Sequence, residues 1–221
     1  MIDYILHLRD GLDLCGLDIE HKNVGTNNGF VYNGTDSISK IIFNEKILDS
    51  QDFTIYLNFI LNSAGVIFIN DKFKLSSDGT SLVFNYDNKP VNLGSVDTNK
   101  HTFCAVRKDN IITCYLDGTS KGTITSSSNI DNNILIIGSD NNNKFTDCVI
   151  NDFNILVNYA HDGTVPSGNF TLGKFCKSCQ DYAKLTDEAK IAVFQSANGQ
   201  TLTSDDILSM NTKVKILHYI Q

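Results

Sequence analysis

His101-Thr-Phe-Cys-Ala-Val-Arg-Lys-Asp-Asn-Ile-Ile-Thr-Cys-Tyr-Leu-Asp-Gly118 sets two strand-like runs around a polar Lys108-Asp109-Asn110 turn. The second run ends in Asp117-Gly118, a strong hairpin signal. A hairpin whose strands alternate between two faces buries its apolar side only against further sheet, so the stretch predicts a β-sandwich.

The flanking sequence supplies that sheet. Asp52 to Leu61 is the longest strand candidate, with Phe53, Ile55, Leu57 and Phe59 on one side and Thr54, Tyr56 and Asn58 on the other. One of its faces is built for a core. Strands are also expected at Gly65 to Ile69, Lys72 to Leu75 and Ser81 to Tyr86, with Pro90 just beyond, where a missing amide donor does little harm. Nearer the start, Tyr4-Ile-Leu-His-Leu reads as a strand closed by Asp10-Gly11, and Leu12 to Gly29 as loop-rich. Phe30-Val-Tyr runs into an Asn33-Gly34 turn, and Ser39 to Phe43 is a short apolar strand. Downstream come Gly122 to Thr125, Ile134 to Ile137 and Cys148 to Tyr159.

Short strands at this spacing, with almost no helical period before residue 180, define a mainly β fold, a two-sheet antiparallel jelly-roll sandwich over residues 1–160. Asp162-Gly-Thr-Val-Pro-Ser-Gly168 reads as a linker. Residues 161–221 then form a small C-terminal α-helical extension. Tyr182, Leu185, Ala189, Ala192 and Val193 recur near a helical period, and Ser204 caps a second helix to Met210. Such a segment is too short for a confident core of its own, so it packs on the sandwich or anchors the chain to a larger assembly. Both readings stay open.

The net charge is −7, which excludes wrapping nucleic acid or lying on an anionic membrane, since both reward clustered Lys and Arg. The excess acid lies in residues 1–160, with 12 Lys+Arg against 19 Asp+Glu; residues 161–221 balance at 6 and 6. Met1 to Asp10 lacks the pattern of a signal peptide, and no run approaches the roughly 20 apolar residues of a membrane span. The expectation is a protein that leaves the cell with a virus particle, the alternatives being a cytoplasmic protein or one released without a cleaved leader.

Phe53-Thr-Ile-Tyr-Leu-Asn-Phe, His101-Thr-Phe-Cys-Ala-Val-Arg, Cys114-Tyr-Leu-Asp-Gly, Ile136-Ile-Gly-Ser and Phe145 to Val157 follow one another in an order that resembles the laminin-G-like branch of the concanavalin A-like lectin/glucanase superfamily. Tyr4-Ile-Leu-His-Leu-Arg-Asp-Gly with Val31-Tyr-Asn-Gly-Thr-Asp resembles the opening of such domains in phage and prophage structural proteins. The resemblance implies a jelly roll used for glycan binding, adhesion or virion decoration, and sometimes for glycan hydrolysis. It makes the chain a non-enzymatic virion or adhesion protein whose partners are other virion or assembly proteins and cell-surface glycan. The alternatives are a soluble lectin acting alone and, behind it, a glycoside hydrolase.

Hydrolysis by a retaining mechanism needs two carboxylates about 5–5.5 Å apart. In the glucanases of the superfamily these sit in a Glu-x-Asp-x-Glu strand. The nearest match, Gly16-Leu17-Asp18-Ile19-Glu20, has Gly in place of the first Glu and falls early in the chain, so no catalytic residue is assigned. Glycan sites stack an aromatic ring on the sugar and aim amides or carboxylates at its hydroxyls. There is no Trp, but the Asp87-Asn88, Asn129 to Asn133 and Asp140 to Asn143 loops carry suitable polar groups. Against this, Asn and Asp also make turns by bonding their own backbone. Calcium would draw on the same loops, yet no spacing resembles an EF-hand loop, and no metal or other cofactor is assigned.

Cys104 and Cys114 lie on the two hairpin strands. A two-residue Asp109-Asn110 turn places Cys104 opposite Tyr115 and sends the thiols to opposite faces; a three-residue turn aligns them. Neither register is preferred, and both thiols are read as small buried apolar residues. Cys176-Lys-Ser-Cys179 has metal-like spacing but no second ligand pair, and it is read as two free thiols, as Cys15 and Cys148 add no such pair. Asn33-Gly-Thr and Asn169-Phe-Thr match the glycosylation pattern by coincidence.

Overall fold

The computed structural model describes residues 3–9, 11–13, 17–27, 29–43, 52–128, 132–140, 142 and 144–157. The linker at 162–168, the helices expected within 181–210, and Cys15, Cys176 and Cys179 lie outside the described residues.

Fifteen strands are described: β1 (Asp3–Arg9), β2 (Leu12–Asp13), β3 (Asp18–Lys22), β4 (Phe30–Asn33), β5 (Ile38–Ile42), β6 (Phe53–Leu61), β7 (Gly65–Ile69), β8 (Phe73–Ser77), β9 (Leu82–Tyr86), β10 (Lys89–Gly94), β11 (Lys100–Lys108), β12 (Ile111–Leu116), β13 (Thr119–Thr125), β14 (Ile134–Ile137) and β15 (Asp147–Val157). They form two antiparallel sheets. One has eight strands in the order β13-β12-β11-β6-β15-β1-β2, with β4 also pairing β15; the other has seven, β10-β9-β8-β7-β14-β5-β3. The chain crosses between sheets repeatedly, so the layers are interleaved in sequence rather than stacked one after the other.

Alternation explains the layers. On β6, Phe53, Ile55, Leu57 and Phe59 point inward and join Phe103, Ala105, Phe153 and Ile155 from its neighbours. Phe68, Phe73, Phe84, Leu135 and Ile137 face them from the other sheet. Aromatic rings tie the layers together at the centre, Phe68 to Phe153 at 4.9 Å and Phe84 to Phe103 at 5.1 Å between centroids. Each such ring contributes roughly 1.5–3 kcal/mol by burial, with more from the ring contact.

The hairpin β11–β12 takes the two-residue turn: Cys104 pairs with Tyr115, and Cys114 with Ala105. Asp109 adopts φ 56° there, a left-handed conformation that Asp tolerates. Cys114 points into the core and Cys104 to the opposite side of the sheet; both are buried and unbridged, as is Cys148. Burial pushes the Cys104 and Cys114 thiols up to about 12 and raises Cys148 further. They act as small apolar residues.

Three strands depart from the sequence reading. The stretch read as loop-rich holds β2 and β3, and β10 runs through Pro90. β3 and β10 are the two edges of the seven-stranded sheet, where Pro and charged side chains are tolerated because one side of the ladder needs no donor.

Candidate functional site

From β4 onward, successive connections alternate between the two ends of the sandwich, because every strand pair is antiparallel. Among the described residues, one end collects 34–37, 62–64, 78–81, 95–99, 117–118, 138–140, 142 and 144–146. Asp36, Asp78, Asp97, Asp117, Asp140 and Asp147 stand in or beside these connections, against Lys144 within them, Lys100 beside them and Lys22 near Asp36. This end is polar and acidic. Among the described residues the other end carries 70–72, 87–88, 109–110, 126–128 and 132–133, where Asp52, Asp71, Asp87 and Asp109 stand with Lys72, Lys89, Arg107 and Lys108.

The three loops singled out in the sequence therefore do not converge. Asp87-Asn88 and residues 132–133 lie at one end, and Asp140 and Asn142 at the other. Asp87 and Asn88 form the two-residue β9–β10 turn with φ 53° and 60°. The Asp87 carboxylate accepts bonds from the Ser128 and Ser126 hydroxyls (2.5 and 3.3 Å) and pairs with Lys72 at 3.5 Å. Asn132 Oδ1 accepts the Ile134 amide, and Asn133 donates to the Phe43 carbonyl. The Asp87 carboxylate is held by side chains, whereas the two asparagines hold backbone, Asn132 within its own turn. Asn33 of the glycosylation pattern does the same: its Oδ1 accepts the amides of Thr35, Asp36 and Ser37 at 2.9–3.1 Å.

The acidic end is held by similar bonds. Asp78 Oδ1 accepts the Thr80 hydroxyl and the Thr80 and Ser81 amides at 2.7–2.8 Å, which draw its pKa down to about 2. Asp36 is lowered chiefly by the Asn33 amide, and Asp97 by the Asn99 backbone amide. Asn62 donates to Asp147 Oδ1 at 2.8 Å, and the Asp147 amide donates to Ser63 Oγ at 2.9 Å, tying two connections together. Thr146 Oγ1 donates to the Val66 carbonyl at 2.7 Å, joining the sheets at this end.

His101 sits between two carboxylates, Nδ1 at 2.8 Å from Asp117 Oδ2 and Nε2 at 3.0 Å from Asp97 Oδ1. Partial burial draws its pKa down, but the two carboxylates outweigh burial and the net shift is upward. Nε2 also receives the Asp97 backbone amide at 3.3 Å, and the ring clamps the 95–99 connection to the 117–118 connection.

Among described side chains, the tyrosine and phenylalanine rings are buried except Tyr115 and Phe145, which are half-buried. Tyr115 lies on the outer side of β12, and Phe145 lies in the acidic end, bridged to Ser139 beside Asp140 and Lys144. Sequence reasoning reached Asp140 but not the ring beside it. Asp18 and Glu20 fall on the edge strand β3, where Glu20 is exposed opposite Lys40. Among the described residues no cluster of three or more His, Cys, Asp or Glu side chains is arranged to hold a metal.

No protein-family model and no curated protein sequence matches the chain. Solved structures do. The binding domain of botulinum neurotoxin serotype D superposes with TM-score 0.60 at 14% identity, over 73% of this chain and 49% of that one. The binding domain of botulinum neurotoxin DC in complex with SialylT gives 0.55 at 15%, over 73% and 49%. Trypanosoma rangeli sialidase gives 0.54 at 15%, over 72% and 31%. The chain thus spans about half of the toxin binding domains and under a third of the sialidase. At these identities the likeness establishes the fold alone, a β-sandwich of two antiparallel sheets.

Proposed function

We propose that the sandwich is a non-enzymatic glycan-recognition module used in adhesion, with the acidic end around Phe145 as its contact surface. The observation that carries this is Phe145 itself. A sugar site sets an aromatic ring beside polar groups, and here the half-buried Phe145 stands in one connection with Asp140, Asn142 and Lys144, where Asp140 Oδ1 accepts the Asn142 and Lys144 amides and so fixes the loop. Support also comes from the neighbours, one of which is a toxin binding domain in complex with SialylT. The aspartates around Phe145 favour neutral sugars over sialylated ones, since an anionic ligand meets like charge. A glycan-array screen with and without calcium tests the reading. Binding that survives a chelator, is lost in Phe145→Ala and is kept in Tyr115→Ala supports it; loss only in Tyr115→Ala, or silence at high protein concentration, overturns it.

A second reading makes this adhesion module a laminin-G-like component of a phage virion. It is favoured by the placement of the two phage-like segments: β1 and β4 pair one after the other along the same side of β15. The stretches that carry the resemblance thus build one edge of the fold together. Co-purification of the chain with virus particles from a producing host tests it, and its absence from washed particles sinks it.

A further inference from the structure

The side of the seven-stranded sheet that faces away from the core changes character from strand to strand. On β8 and β9 the outward residues are Lys74, Ser76, Val83 and Asn85, mostly polar, as a solvated antiparallel face should be. On β7, β14 and β5, which lie side by side, they are chiefly Val66, Ile69, Ile134, Ile136, Ile38 and Ile42. All six are half-buried, so each keeps part of its surface open to solvent. Ile136 stands opposite Ile69, and Ile134 opposite Ile42, which makes the patch contiguous. A continuous aliphatic patch on a solvated face marks a docking surface. Charge narrows the partner. The chain carries −7 overall, yet the only charged outward residues of β5, β14, β7, β8 and β9 are two lysines, Lys40 and Lys74. They close the two ends of one row, Lys40–Ile136–Ile69–Lys74. Acids enter this face at the β3 edge, with Glu20 opposite Lys40 and Asp18 opposite Ile42.

We infer that this face docks an amphipathic helix of another protein, one with acidic residues along both flanks of its apolar stripe. The dimensions fit. From β5 to β7 is two strand spacings, about 10 Å, which matches the diameter of a helix with its side chains. Ile38 to Ile42 runs about 13 Å along the strand, enough to face roughly nine helical residues at a 1.5 Å rise. Lys40 and Lys74 lie three spacings apart, about 14 Å, one on each side of such a helix, where a carboxylate on either flank meets one of them. A second copy of the chain suits the surface less well, since it offers the same two lysines and, among the described residues, no helix. The patch shares no residue with the end around Phe145, so it stands independently of the glycan reading.

Binding of synthetic peptides to the intact chain, followed by fluorescence anisotropy, tests this. One helix-forming peptide carries a leucine stripe flanked by glutamates; a second carries the same stripe flanked by lysines. The glutamate-flanked peptide should bind about tenfold tighter, and raised salt should narrow the gap. In the Lys40→Glu/Lys74→Glu chain the order of the two peptides should reverse, and Ile136→Ser should weaken both. Urea unfolding of each variant checks that the sandwich is intact. Equal binding of the two peptides, an order that survives the double reversal, or no binding of either peptide overturns the inference. Two further results also overturn it by naming another occupant. A concentration-dependent dimer abolished by Ile136→Ser gives the face to a second copy, and intramolecular cross-links from Lys40 and Lys74 to Lys184 or Lys213 give it to the chain itself.

Discussion

At the scale of single residues, two cations show how little the eye should trust charge alone. Arg107 is wholly buried on the inner side of β11. Its guanidinium donates to the Asp109 and Ser128 carbonyls at 3.0 and 3.3 Å and reaches the Tyr86 hydroxyl and Asn110 amide oxygen at 3.5 Å. A planar fork serves four acceptors that an ammonium would not reach together. Arg107→Lys should therefore lower stability by roughly 1.5–3 kcal/mol despite keeping the charge; an unchanged urea midpoint would show that the fork is dispensable. His101 behaves differently. Its folded pKa is raised by Asp117 and Asp97 over the opposing pull of burial. Its contribution is then full below the unfolded value of about 6.5 and fades as pH rises through the folded value. His101→Gln should lower the urea midpoint clearly at pH 6 and hardly at pH 9, and a pH-independent difference would remove the clamp from consideration.

At the scale of elements, close approaches decide which glycines are fixed. Gly138 ends β14 with φ 80°, and a Cβ there would lie 2.2 Å from the Tyr32 ring. Tyr32 is buried with its hydroxyl 2.7 Å from Ser39 Oγ, so the ring has nowhere to move. Gly138→Ala should lower stability by roughly 2–4 kcal/mol, read from thermal or urea unfolding. The central elements were legible in the sequence because Phe53 to Phe59 alternates and the apolar runs on either side of Lys108-Asp109-Asn110 are long and joined by a short polar turn. β3 and β10 were not. Asp18-Ile-Glu-His-Lys and Lys89-Pro-Val-Asn-Leu-Gly are edge strands, and the charges and proline that protect an edge also make it read as loop. The candidate site was half legible. Asp140 and its neighbours announce a polar loop, but that Phe145 keeps a partly open face while nearly every other described ring is buried follows from packing that no local pattern encodes.

At the scale of the molecule, the distribution of charge and of thiols gives two further tests. The acidic end should bind neutral glycans better than sialylated ones, and the gap should narrow as salt screens the aspartates over about 10 Å at 0.1 M. A ligand set dominated by sialylated sugars, insensitive to salt, would move the contact surface elsewhere. The buried thiols Cys104, Cys114 and Cys148 should resist modification at pH 8 in the intact folded chain and react together on unfolding. Rapid reaction of any of them in the native protein would mean that its strand opens far more readily than the packing suggests.

β15 pairs with β6 along one side and with β1 and β4 along the other. Its consequence lies in time. Synthesis runs from the N-terminal side, so the β15-facing sides of β1 and β6 wait unmatched until residues 147–157 emerge, although β2 and β11 already pair with their other sides. Closure of the sheet joins segments nearly the whole sandwich apart in sequence, which makes folding slow. A nascent chain halted before residue 147 should be a sticky intermediate, seeking in a neighbour the strand it has not yet made.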